Sequence, residues 1–177
     1  MSSAVDRMLA QLGSGGQPPV HLWHPELSGD IDIRIASNGD WFHEGSQIKR
    51  QELVRLFASI LRYEPDCGHV LVTPVEKWRI KVDGAPLQAV AIDIEPGTVR
   101  LVTNTGEDFD LGPEHPLEIT RDQAGNQVPE ALANRGLKAR LARPVYYELA
   151  EHCEQRGELF GIESGGVFFS LSAPADH

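Results

Sequence analysis

The sequence predicts an α+β fold made of two related subdomains, and three observations carry that expectation. Short segments alternate strictly between apolar and polar side chains, as half-buried strands do. Other segments repeat apolar residues at helical spacing. Both halves of the 177-residue chain run in one order: an alternating strand, an amphipathic helix, then a pair of strands.

Val5, Met8, Leu9 and Leu12 fall at i, i+3, i+4 and i+7, the stripe of a short amphipathic helix. Residues 13–19, Gly-Ser-Gly-Gly-Gln-Pro-Pro, form a flexible connector that tethers it. Ile31, Ile33 and Ile35 then alternate with Asp30, Asp32 and Arg34 in a half-buried strand. Asn38-Gly39 signals a turn, and residues 41–44 return as the hairpin partner. Leu53, Leu56, Phe57, Ile60 and Leu61 give one apolar helical face over residues 50–62. Strands over 70–73 and 75–82 follow, with a bend or bulge at Pro74, which cannot donate to a ladder.

After Asp83-Gly84-Ala85-Pro86, short strands are expected over 87–94, 99–104, 109–111 and 117–120. Leu137, Ala139 and Leu141 alternate with Lys138 and Arg140 in another. Pro144 suits the first position of a helix whose inner side is Val145, Leu149, His152 and Cys153, with Gly157 as its stop. Strands over 159–163 and 167–171 flank Ser164-Gly165-Gly166. Leu53, Phe57 and Leu61 thus hold the stripe that Val145, Leu149 and Cys153 hold later. The expected divisions are 1–19 for helix and linker, 20–83 and 84–172 for the subdomains, and 173–177 for a tail.

Lys and Arg number 16 against 26 Asp and Glu, a formal charge of −10. An acidic chain is a poor nonspecific nucleic-acid binder and a poor ligand for anionic membranes. No apolar stretch nears the roughly 20 residues that span a bilayer, and Asp6, Arg7 and Gln11 interrupt any secretory core, so a cytoplasmic protein is expected. Cys67 and Cys153 lack Cys-x-x-Cys spacing and read as two free thiols.

Against that acidic background, Lys77, Arg79 and Lys81 line one face of a strand, with Glu76, Trp78, Ile80 and Val82 on the other. The plainer reading is a solvated face paired with acids across the sheet; the sharper one is an anion site. Arg135, Lys138, Arg140 and Arg143 form a second basic cluster. Glu76 reads first as a strand end in solvent, next as the partner of a base. Asp30 and Asp32 lie about 7 Å apart by strand rise, but Arg34 neutralises that row. His21 and His24 lack a third ligand, and no phosphate loop or Gly-x-Ser-x-Gly elbow occurs. No cofactor, metal or catalytic residue is expected.

Gly-Asp-Ile-Asp-Ile-Arg-Ile at 29–35, Trp-Phe-His-Glu-Gly at 41–45 and Leu-Val-Arg-Leu-Phe at 53–57 resemble segments of a bacterial family. So do Val-Thr-Pro-Val-Glu-Lys at 72–77, Thr103-Asn104, Arg-Gly-Leu at 135–137, Tyr-Tyr-Glu-Leu at 146–149 and Ser-Gly-Gly-Val-Phe-Phe at 164–169. The family is domain-of-unknown-function family 1285, and the resemblance runs from about residue 18 to 171. It implies a duplicated core with a C-terminal half loosely similar to pleckstrin-homology-like folds, a ligand site where the halves meet for a nucleotide-like molecule, and a signalling role. The chain departs from the pattern at Val128-Pro129-Glu130, where an aromatic residue usually follows the proline.

The expected function is therefore a cytoplasmic, non-enzymatic ligand-binding or regulatory protein for an anionic small molecule. Lys77, Arg79, Lys81, Arg135 and Arg140 would supply charge, Thr73 and Asn104 neutral hydrogen bonds, and Trp41 or Trp78 an apolar wall. The alternative is a protein-interaction module, a homo-oligomer included, using sheet edges and the N-terminal helix. A hydrolase working through Asp30, Asp32 or Glu76 ranks third.

Overall fold

The computed structural model describes residues 3–12 and 18–171. The expected linker glycines and the tail lie outside the described residues. The chain divides into two compact units, Met1–Asp83 and Gly84–His177.

The first unit begins with α1 (Ser3–Leu12), whose Val5 and Met8 are buried. The chain continues through β1 (Gly29–Ile35), β2 (Trp41–His43), β3 (Ser46–Gln47), α2 (Gln51–Ser59), β4 (Leu61–Glu64), β5 (Gly68–Val72) and β6 (Lys77–Val82). These strands form one sheet in the order β3-β2-β1-β6-β5-β4. Two antiparallel meanders, β1–β3 and β4–β6, lie side by side and join through the parallel pair β1/β6. Ile33, Ile35, Trp41, Phe57, Ile60, Leu61 and Leu71 are buried, and Trp41 stacks on Phe57 with ring centroids 6.3 Å apart.

The helix is shorter than its apolar stripe. Ile60 and Leu61 fit both a helical face and a strand, and short apolar runs do not settle the choice. Tertiary pairing settles it: Leu61, Arg62, Tyr63 and Glu64 pair with Leu71, Val70, His69 and Gly68.

The second unit contains β7 (Leu87–Glu95), β8 (Thr98–Thr103), β9 (Asp108–Asp110), β10 (Leu117–Arg121), β11 (Gln127–Leu132) and β12 (Lys138–Leu141). Their order is β10-β11-β12-β7-β8-β9, and β12/β7 is the parallel pair. Counted from the start of each unit, both sheets run third-second-first-sixth-fifth-fourth. The duplication is therefore a repeat of six strands, larger than the strand–helix–strand pair that the sequence pattern picks out. The helices differ in place: α2 links the third and fourth strands of its sheet, whereas α3 (Arg143–Glu151) follows the sixth.

After α3 come β13 (Glu154–Arg156), β14 (Leu159–Ser164) and β15 (Val167–Ser170), a separate three-stranded antiparallel sheet. The helix-then-meander pattern of α2 and β4–β6 recurs here, but this meander stays out of the six-stranded sheet. Cys153 lies just past α3, with Sγ donating to the Leu149 carbonyl at 3.3 Å, and Gly157, at φ 62°, makes the β13–β14 turn rather than ending the helix. The Ser164 hydroxyl is buried, donating to the Leu111 carbonyl (2.7 Å) and accepting from the Val99 amide (2.9 Å). A Cβ on Gly161 would stand 1.9 Å from the Phe169 carbonyl oxygen, so only hydrogen fits there.

Candidate functional site

The basic row forms as its alternation predicts, on β6, and its neighbour β1 runs parallel to it. In register, Asp30 lies beside Arg79 and Arg34 beside Lys81, so four residues of β1 span what two residues of β6 span. Extra residues of this kind bend a strand and break its ladder. At the break an open cleft of about 470 Å³ is lined by Asp30, Ile31, Asp32, Arg79, Ile80 and Lys81.

The three cations of the row have different fates. The Lys77 Nζ donates to Glu64 Oε1 at 2.9 Å, and its side chain is only 12% exposed. Arg62 places Nε and Nη2 on Glu64 Oε2 at 2.9 and 2.6 Å, and gives Nη1 to the carbonyls of Val20 and Trp23, both at 3.0 Å. Burial works to raise the Glu64 carboxyl, but the hydrogen bonds from Lys77 and Arg62 outweigh it and hold the group below its usual range. That cluster clips the 20–23 segment to the sheet and holds the Lys77 ammonium on Glu64, and Lys77 does not line the cleft.

Arg79 donates Nε to the Cys67 carbonyl (2.9 Å) and Nη1 to Asp30 (3.2 Å), and it stays 43% exposed. Lys81 is exposed and has no hydrogen-bond or ion partner among the described residues. Its neighbour Arg34 is engaged elsewhere, ion-paired to Asp83 and lying 4.7 Å over the Phe42 ring. Asp32 is exposed as well, and no side-chain partner holds it among the described residues.

The remaining sequence candidates serve the scaffold. Thr73 is buried, and its hydroxyl accepts the Glu76 amide at 3.0 Å to close the β5–β6 turn. Asn104 exchanges two bonds with the Gln88 backbone, giving its amide to the carbonyl (2.8 Å) and accepting the Gln88 amide on Oδ1 (3.0 Å). Trp41 is a core residue under Phe57, 1% exposed, and cannot wall an open cleft. Trp78 is half-buried on the face opposite the basic row, with Gly29 against its ring. Arg135, in a left-handed conformation (φ 60°), reaches Glu107 at 2.7 Å. Arg140 faces Glu130 across β11/β12, and Lys138 shares a small surface hollow with Glu118 and Glu130. Lys77 and Arg79 of the first cluster and Arg135 of the second are thus ion-paired to acids of their own unit. Glu76 is not in solvent: it is 17% exposed and pairs with Arg7 of α1 at 3.0 Å.

Arg62 and Glu64 escaped the sequence reading because Arg62 was assigned to the end of the helix and Glu64 to no element; the Arg-x-Glu spacing with Tyr63 between is the alternation that marks them as strand residues. Among the described residues, no group of three or more His, Cys, Asp or Glu could hold a metal ion. No helix among them is long and apolar enough to cross a membrane.

Two family models cover most of the chain: the N-terminal domain of the domain of unknown function DUF1285 over residues 18–85, and the C-terminal domain of the DUF1285 protein of unknown function over residues 86–171. The chain belongs to the DUF1285 family. A solved family member from Silicibacter pomeroyi DSS-3 is similar over 97% of this chain and 96% of its own, with 38% identity and a TM-score of 0.88. A second, from Shewanella baltica OS155, is 30% identical with a TM-score of 0.58, covering 67% of this chain and 90% of that one. No curated protein matches the chain.

Proposed function

We propose that the protein is a cytoplasmic ligand-binding regulator that takes an anionic, nucleotide-like small molecule at the cleft between β1 and β6. One observation carries this reading. Of the three cations in the row, Lys81 is exposed and unpartnered, and it opens with half-exposed Arg79 onto a cleft of ligand size. These two donors, both on the β6 wall, can make charge-assisted hydrogen bonds to a phosphate or carboxylate. Lys77 is bonded to Glu64 and does not line the cleft. In the same proposal the second unit, with its six-stranded sheet and following helix, is a pleckstrin-homology-like module of a signalling protein.

A thermal-shift panel of nucleotides and simple anions tests this. A ligand at a hundred times its Kd stabilises the folded state by about 2.7 kcal/mol. The shift is expected to vanish in Arg79→Gln and Lys81→Gln and to persist in Lys77→Gln, which itself melts lower. Absence of any shift at millimolar anion, or a shift surviving loss of both Arg79 and Lys81, would overturn the reading.

A further inference from the structure

The cleft holds two cations and two carboxylates, and their pairing is uneven. Asp30 already accepts from Arg79 at 3.2 Å, so these two largely neutralise each other. Asp32 and Lys81 remain, exposed and without side-chain partners, both lining the same cleft. They sit on different strands, on either side of the stretch where β1 runs two residues longer than β6. No ion pair joins them. The site therefore presents one open negative charge and one open positive charge, fixed apart by backbone.

We infer that the cleft selects a zwitterionic ligand, with an ammonium or comparable donor on Asp32 and a phosphate or carboxylate on Lys81. This rests on the anion-binding reading above and adds the second half of the ligand. A lone anion gains Lys81 but meets the repulsion of Asp32 on the facing wall. A molecule carrying both groups converts that repulsion into a second contact. Single exposed ion pairs are weak, so the gain comes from engaging both charges with one linked molecule, whose second contact forms at high effective concentration.

Isothermal titration with inorganic phosphate and with aminoalkyl phosphates of two, three and four carbons separates the two claims. The best-fitting aminoalkyl phosphate is expected to bind about tenfold or more tightly than phosphate, with an optimum in chain length. Asp32→Asn should remove that advantage while phosphate affinity holds or rises, and the melting temperature should not move, because the Asp32 side chain holds no partner among the described residues and its backbone bond to the Glu44 amide is kept. Lys81→Gln should weaken both probes. Equal binding of phosphate and every aminoalkyl phosphate, or an advantage that survives Asp32→Asn, overturns the zwitterion inference and leaves the anion reading standing. If neither probe binds, both fall.

Discussion

The two six-stranded sheets share strand order and the placement of their single parallel pair, yet differ at that pair. In the second unit β12 and β7 march in step, Ala139 beside Leu87, Arg140 beside Gln88 and Leu141 beside Ala89. Four of those six side chains are apolar and buried. In the first unit β1 falls out of step with β6, and the residues at the break are Asp30, Asp32, Arg79 and Lys81. The architecture alone does not make a cleft. A local change of register does, and the second sheet serves as an internal control for the first.

Breaking the comparison outright calls for a deletion. Removing Ile31 and Asp32 restores equal spacing without flipping any side chain to the other face, since two residues keep the strand's alternation. Loss of all anion binding in a folded protein is the expected result, checked by titration and circular dichroism. The reciprocal change in the closed pair acts on stability instead. Leu87→Ala, in a site with no exposure, should cost about 2–5 kcal/mol in chemical denaturation, whereas Asp32→Ala should stay within about 0.5 kcal/mol.

The row itself divides the same way. Lys77→Met strips a hydrogen bond from a poorly exposed carboxylate and should cost about 1–3 kcal/mol; Lys81→Met should be near neutral in stability and harmful to binding. Glu64 adds a pH signature. Its folded pKa lies below the ordinary 4.5, so its stabilisation is complete above that value and drains away as pH falls through the folded pKa. Glu64→Gln should therefore be less stable than wild type at pH 7, with the gap closing toward pH 3.

The smallest effect belongs to His69, which packs against Tyr63 with ring centroids 5.1 Å apart. Burial lowers its pKa from 6.5, so the unfolded chain takes up the proton first and stability declines as pH drops below that value. His69→Gln should flatten the melting temperature between pH 7 and 5.5.

Much of this was legible in the residues. The isoleucine alternation of β1 and the Lys-Trp-Arg-Ile-Lys-Val run of β6 defined their own faces, and the acid-paired reading of the row describes Lys77 and Arg79 well. What could not be read is which strands become neighbours. The alternation of β1 is unbroken in sequence, and its bulge exists only relative to β6, some fifty residues away. Trp41 looked like a wall because aromatic content says nothing about depth. Thr73 and Asn104 looked like ligand donors because their polar groups are equally suited to closing turns. β11 was hidden by Pro129, whose missing donor argues against an interior strand, although the pairing of Ile119 with Pro129 places it there.

The parallel pairs have a kinetic meaning too. In each six-stranded sheet the first strand finds its parallel partner only in the last, whereas the antiparallel pairings within the two meanders need only near neighbours. Local hairpins form in microseconds, but joining distant segments waits on closure of the whole intervening chain. As the polypeptide emerges, β1 must therefore hold an open edge until β6 arrives, and the charges of Asp30, Asp32 and Arg34 keep that waiting edge from pairing with the wrong strand.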